Sequence, residues 1–296
     1  MDEICKTLKQ FKNAYATKDS ITDLSKKTMV VVPADYISRT FKQKEQFIFV
    51  PIDGIKHIVL LQNAYRLDQI KTLQGFMDSG KKSKVRGARG LGKSHFLALF
   101  ILHSRINILH DNSRRIMYIN DPELYFQSFK EIEKDIAYFL GTDYLVNPDL
   151  RKKLENALKF GNVDTATKFM YEIMEYYIDS NIRCDIVIDQ YNNLESNREK
   201  DAKVYQFFTN LIRMFRDHVV LSASNENETL RKFTAEEIKL FPGKFLKNND
   251  EALDYLEYLK YFEAIFKNQT PANKLMIVQQ IKTITNFNPF EMMKLI

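Results

Sequence analysis

Cysteine is nearly absent from this 296-residue chain, with only Cys5 and Cys184, far apart in sequence. That argues against a disulfide framework or a zinc site and fits a reducing compartment better. The five histidines are scattered, with no paired spacing that would suit a metal. The N-terminus, Met1-Asp2-Glu3-Ile4-Cys5-Lys6, lacks the apolar core of a signal peptide. No apolar run is long enough to span a bilayer, and no repeat or low-complexity segment stands out. The expectation is a soluble intracellular protein of cytoplasm or nucleus, with secretion by a route that needs no signal peptide left open. Apolar content is ample for a core. The net charge of +6 is spread along the chain and points only weakly to nucleic acid or another acidic partner. Glycine is also scarce, nine in all, so the cluster Gly87, Gly90 and Gly92 is informative.

Those glycines belong to Gly87-Ala88-Arg89-Gly90-Leu91-Gly92-Lys93-Ser94, which fits the P-loop pattern G-x-x-x-x-G-K-[ST] without a mismatch. A triphosphate must lie against bare backbone to accept hydrogen bonds from successive N–H groups. The three glycines permit the angles and the close approach that this needs. Lys93 is placed to reach the β- and γ-phosphates, and the Ser94 hydroxyl to ligate Mg²⁺. The run from His95 to His103 reads as a helix whose N-terminal dipole faces the phosphates. The expected cofactors are ATP and Mg²⁺, held by residues 87–95. His95 itself is expected on the helix surface.

Before the loop, residues 1–28 read as a peripheral arm or adaptor helix, with a weak helical pattern at Ile4, Leu8, Phe11 and Tyr15. Met29 to Val32 is a short β-branched run. Asp53-Gly54 between two apolar runs signals a β-hairpin, and Pro51 keeps its strand at a sheet edge. Residues 63–79 read as a helix. The strand needed just before the P-loop is weak, since Lys81 to Arg86 carries only Val85. A solvated basic loop entering a short strand is the expectation, with added positive potential from Lys84, Arg86 or Arg89 as the alternative.

Beyond the loop, strands are expected at 115–121, 184–189 and 218–224. Helical stretches run from 122 to 140, from about 149 to 180, and from 201 to 215. The stripe Met170, Met174, Tyr177 and Ile178 reads as core packing. Alternating strands and helices imply a largely parallel sheet. The fold class is therefore α/β, a P-loop NTPase of the additional-strand (AAA+/STAND-like) kind with a C-terminal helical lid. Three segments follow: an arm with a hairpin at 1–70, an NTPase core at 71–248 and a lid at 249–296.

Ile186-Val187-Ile188-Asp189 is an apolar strand followed by a carboxylate, the Walker B layout, and Asp189 is assigned to the metal with Ser94. Where many such ATPases have Glu next, this chain has Gln190, whose amide can orient water but cannot take its proton. Asn225, after the strand at 218–224, is a candidate to sense the γ-phosphate, against a plain turn. The catalytic set is thus Lys93, Asp189, Gln190 and Asn225. Glu195 is an alternative base, and Arg213, Arg216 and Arg231 are undecided candidates for an arginine finger.

Gly87 to Ser94, Ile188-Asp189-Gln190-Tyr191-Asn192-Asn193-Leu194-Glu195 and Leu221 to Asn225 together resemble the NTPase domain of Crinkler-type effectors and retrotransposon-hot-spot proteins. In that resemblance Asp-Gln stands where other ATPases have Asp-Glu. Phe241-Pro242-Gly243 and Thr285 to Pro289 are similar to the family's turn and lid motifs, with Asn286 replacing a glycine. The likeness covers about residues 70–296. It implies an ATPase whose core and lid move relative to one another, a partner such as DNA or a separate effector domain, and a homo-oligomer if a finger comes in trans. The expectation is that either this chain is a fragment or the NTPase works alone or with a partner, and nuclease activity is not expected, since no residues follow the lid for a nuclease-like domain. A nucleotide-gated switch with negligible hydrolysis is the second reading, and a small-molecule kinase a distant third.

Overall fold

The computed structural model describes residues 2–17, 24, 26–27, 29–38, 41, 49–87, 91–223, 233–240, 249, 252–253, 256 and 266–285. Helix α1 (Asp2–Ala14) is followed by β1 (Met29–Pro33), β2 (Phe49–Ile52) and β3 (Ile55–Leu61), which form an antiparallel sheet in the order β1-β3-β2. Ile52 pairs with Ile55, so Asp53 and Gly54 make a two-residue turn with both φ positive, as their types favour. Pro51 lies in the edge strand β2, where its missing N–H costs no ladder bond.

Helix α2 (Ala64–Asp78), capped by the Asn63 side chain, leads into β4 (Ser83–Arg86). The P-loop helix α3 (Lys93–His110) and β5 (Arg114–Ile119) follow, then helices over 123–179, β6 (Arg183–Ile188), β7 (Val219–Ser222) and β8 (Glu236–Lys239). The five strands form a parallel sheet in the order β5-β6-β7-β4-β8. Strand β7 is thus inserted between the P-loop strand β4 and the Asp189 strand β6, which is the additional-strand arrangement expected from the sequence. Strand β8, Glu236-Glu237-Ile238-Lys239, is a strand that the sequence did not announce, because only Ile238 is buried.

Period-2 alternation sorts the strand residues onto two faces. Ile116, Tyr118, Val187 and Val220 pack with α3 and with Val30, Val32, Ile58 and Leu60 of the antiparallel sheet. Met117, Ile119, Ile186, Ile188, Val219 and Leu221 pack on the opposite side against the helices of 123–215. Helix α3 is therefore sandwiched between two sheets, which is why residues 95–102 are buried without a polar stripe.

Four expectations are corrected. Helix α1 is not a peripheral arm: Ile4 and Leu8 are buried against the helical layer and Phe11 in the core around α3. The basic run is only half solvated, with Lys81 and Lys82 in exposed ion pairs with Glu236 and Asp217. Strand β4 itself is buried in the middle of the sheet, and Lys84 satisfies its ammonium on the Phe233 carbonyl at 3.1 Å. Of the proposed core stripe, Met170, Met174 and Tyr177 are buried, whereas Ile178 is 54% exposed, one position off the inward face. The helical pattern of 122–140 breaks at Ser128, leaving helix α4 (Glu123–Gln127) separate from α5 (Ile132–Leu140).

In the C-terminal segment, helix Pro271–Thr285 buries Val278 and Ile281 with Ala252, Leu256 and Phe266 against Leu61 of β3. Among the described residues, no helix is long and apolar enough to cross a membrane, and no group of three His, Cys, Asp or Glu could hold a metal.

Candidate functional site

The site lies at the C-terminal edge of the parallel sheet, where β4 delivers the P-loop and β6 delivers Asp189. Gly87 follows β4 directly. Its φ is not positive; the constraint is proximity, since a Cβ there would stand 3.1 Å from the Leu240 carbonyl and 3.3 Å from Leu91 Cδ1. Gly92 is the residue that needs conformational freedom. It caps α3 in the left-handed region at φ 74°, ψ 32°, a conformation that a residue without a Cβ adopts at no steric cost. Ala88, Arg89 and Gly90 lie outside the described residues.

Lys93 begins α3, and its ammonium donates to the Gly87 carbonyl at 2.8 Å. Burial lowers its pKa, partly offset by the negative charge of Asp189. The loop is braced from behind by Arg66 of α2, a fully buried arginine that the sequence did not single out. Its guanidinium donates to the Leu91 carbonyl at 3.3 Å and lies 5.9 Å from the centre of the Phe96 ring. A lone arginine in an ordinary amphipathic helix carries no signal of such a role.

Asp189 is 1% exposed. Its Oδ1 accepts the Gln190 N–H at 2.8 Å, while Oδ2 is buried without a partner of hydrogen-bond geometry. Desolvation raises its pKa; the hydroxyls of Ser94 and Ser222, the Gln190 N–H and Lys93 each pull it back. Those two hydroxyls therefore lie beside Asp189, close enough to influence it without closing its hydrogen bonding. An orphaned carboxylate oxygen next to a serine hydroxyl is an all-oxygen donor set, the kind that a hard divalent cation prefers. The residues present fit Mg²⁺.

Gln190 sits in the left-handed region at φ 51°, ψ 43°, which is unusual for a residue with a long side chain. Its Nε2 donates to the Asn120 carbonyl at 3.2 Å, and its Oε1 accepts from Asn193 Nδ2 at 3.3 Å. The same Asn193 nitrogen donates to Asp121 Oδ1 at 3.0 Å. Asn120, Asp121 and Asn193 are participants that sequence reasoning missed, because register alone brings them together. Asp121 Oδ1 also accepts the Glu123 N–H, two residues on, at 3.1 Å. Glu195, the alternative base, accepts from the hydroxyls of Tyr191 and Tyr205.

His95 is corrected. It is 5% exposed, faces the antiparallel sheet and accepts the Leu61 N–H on Nε2 at 2.6 Å. Burial, with the Arg66 charge adding, pushes its pKa down to about 3, so it stands as a neutral acceptor. Its imidazole thus ties the P-loop helix to β3. Of the alternatives for positive potential, Lys84 is engaged as above and Arg86 pairs with Glu237 at 3.5 Å. Asn225, Ser224, Arg231, residues 241–243 and residues 286–289 lie outside the described residues.

No family model matches the sequence, and no curated protein matches it. Among solved structures, the chain is similar to a Walker-type ATPase of Pyrococcus abyssi at 16% identity and TM-score 0.41, over 76% of this chain and 64% of that one. AMPPCP-bound DnaA from Aquifex aeolicus follows at 11% identity and TM-score 0.35, over 79% and 66%. PCH-2 of C. elegans gives 11% identity and TM-score 0.37, over 76% and 60%. The chain spans less than two thirds of the length of each of these structures.

Proposed function

We propose that this chain binds a nucleoside triphosphate such as ATP, with Mg²⁺ at the P-loop, and hydrolyses it. The observation that carries the reading is the meeting of three groups at one sheet edge. Gly92 opens the N-terminus of α3, Lys93 reaches back to the Gly87 carbonyl, and the buried, half-satisfied carboxylate of Asp189 stands beside Ser94. Successive N–H groups and Lys93 would bind the phosphates, and Ser94 and Asp189 would hold the cation. The cation, when bound, neutralises charge on the β- and γ-oxygens. Gln190, held by the Asn120 carbonyl, orients water. Asn225 is retained as a proposed γ-phosphate contact.

The resemblance to Crinkler-type and retrotransposon-hot-spot NTPases supports a core-to-lid movement as the output, with DNA, a separate effector domain or a second copy as partner. The proposed segments stay 1–70, 71–248 and 249–296. A second reading, a nucleotide-gated switch with little hydrolysis, is favoured by one feature, the amide at Gln190 where a carboxylate would take the proton. Steady-state phosphate release with MgATP, beside Lys93→Ala, separates the two. Release that disappears in the variant supports the hydrolase; nucleotide binding without release above the variant's level leaves the switch, and no binding sinks both.

A further inference from the structure

Water attack on a γ-phosphate needs a proton acceptor, and the residue beside Asp189 cannot be one. Strands β5 and β6 are parallel, with Ile119 opposite Ile188, and the Asp189 N–H extends the ladder by donating to the Ile119 carbonyl at 2.8 Å. Asn120 therefore stands beside Asp189, and Asp121 beside Gln190, at the same sheet edge.

The amide orientations follow from one another. Gln190 Nε2 faces the Asn120 carbonyl, which can only accept, so Oε1 is the end turned to Asn193. Asn193 must then present its NH₂, and it does so to Gln190 Oε1 and Asp121 Oδ1 together, at 3.3 and 3.0 Å. Its own Oδ1 accepts from Asn192 Nδ2 at 2.9 Å. The strained backbone of Gln190 is thus held by a network that sets one neutral and one ionisable acceptor around a single nitrogen. A neutral acceptor that orients water and a carboxylate that removes its proton together supply what one glutamate does elsewhere. Glu195 is on the same short helix but belongs to two tyrosine hydroxyls.

We propose that Asp121 is the general base for the attacking water, with Gln190 orienting that water and Asn193 as the positioning residue. The proposal rests on the hydrolase reading. The water oxygen bonds to the γ-phosphorus, the bond from that phosphorus to the β,γ-bridging oxygen breaks, and its electron pair leaves with the nucleoside diphosphate. The water proton passes to the Asp121 carboxylate and then to solvent.

Asp121→Asn is the decisive variant, because the amide oxygen of Asn can still accept from the Glu123 N–H and from Asn193. A purely structural Asp121 therefore predicts near-normal turnover. The experiment measures steady-state phosphate release from MgATP, binding of a fluorescent ATP analogue and Tm for wild type and Asp121→Asn. The expected result is a fall in kcat of about 10²-fold or more for Asp121→Asn, with binding and Tm retained. Turnover within about threefold of wild type, or loss of binding together with turnover, would each overturn the proposal. Nucleotide binding with no wild-type turnover would instead remove the hydrolase reading beneath it.

Discussion

The ammonium of Lys93 lies 2.8 Å from the carbonyl of Gly87, so the P-loop lysine spans its own loop from the far end to the near end. A bound phosphate would have to draw that ammonium off the carbonyl, at a site where burial already disfavours its charge. Lys93→Met keeps most of the apolar stem and removes the charge. The free variant is expected to stay within about 1 kcal/mol of wild type, because relief of desolvation offsets the lost attraction to Asp189 and the lost bond to Gly87. MgATP should raise the Tm of wild type by linkage and leave the variant unmoved. Thermal melts with and without nucleotide check both halves.

The two described glycines of the loop should fail in different ways. Gly92→Ala places a Cβ at φ 74°, costing about 1–2 kcal/mol of stability and tilting the first N–H groups of α3. Gly87→Ala meets the Leu240 carbonyl at 3.1 Å, a backbone atom that can shift by a few tenths of an ångström only if β8 moves with it. Urea unfolding should show Gly92→Ala destabilised by that amount. Nucleotide titration should show weaker binding for both, with Gly87→Ala disturbing the β4–β8 edge as well.

What the sequence makes legible here is whatever residue type alone dictates. The P-loop, the Asp53-Gly54 turn and the apolar strand before Asp189 each need particular residues at particular spacings. Strand β4 was obscure because its place in the sheet is secured by neighbours on both sides and by the Lys84 bond to Phe233, not by its own hydrophobicity. His95 was misplaced because a polar residue on an apolar helix looks like surface until β3 is laid against it. The Ile4, Leu8 and Phe11 pattern was visible, but not that it bridges two cores. The Gln190–Asn193–Asp121 network could not be read from the chain, because it depends on the register of β5 against β6.

The neutral histidines predict a pH dependence. His95 and His103, pushed down to about 3 and about 4 by burial, contribute stability that is present above the unfolded histidine pKa of about 6.5. That stability is lost as pH falls through the folded values. Protonating His95 would also break the bond from Leu61. Asp135, raised to about 7 by burial, works the other way over an overlapping range, so the histidine effect is isolated by comparison. In His95→Gln an amide oxygen can still accept from Leu61. The stability lead of wild type over the variant should shrink by about 1.4 kcal/mol per pH unit as pH falls below about 6.5. Denaturant curves at several pH values between neutrality and pH 4.5 would show a constant difference if His95 did not titrate in this way.

Asp189 should show function and stability opposed. Its carboxylate is buried with Oδ2 unpartnered, so the metal-free fold carries a charge that it solvates poorly. Its folded pKa is raised above the unfolded value, so the stability that it contributes is complete below about pH 4 and is lost as pH rises through the folded pKa. Asp189→Asn removes that loss. At neutral pH the variant is expected to be more stable than wild type by about 1–2 kcal/mol without nucleotide. The gain should vanish below about pH 4, where both chains are neutral at this position. Adding Mg²⁺ with ATP should reverse the order, because only the carboxylate offers the cation a charged oxygen. A variant less stable than wild type at pH 7 would mean that the carboxylate is already satisfied in the free protein, and its place as a metal ligand would lose its physical basis.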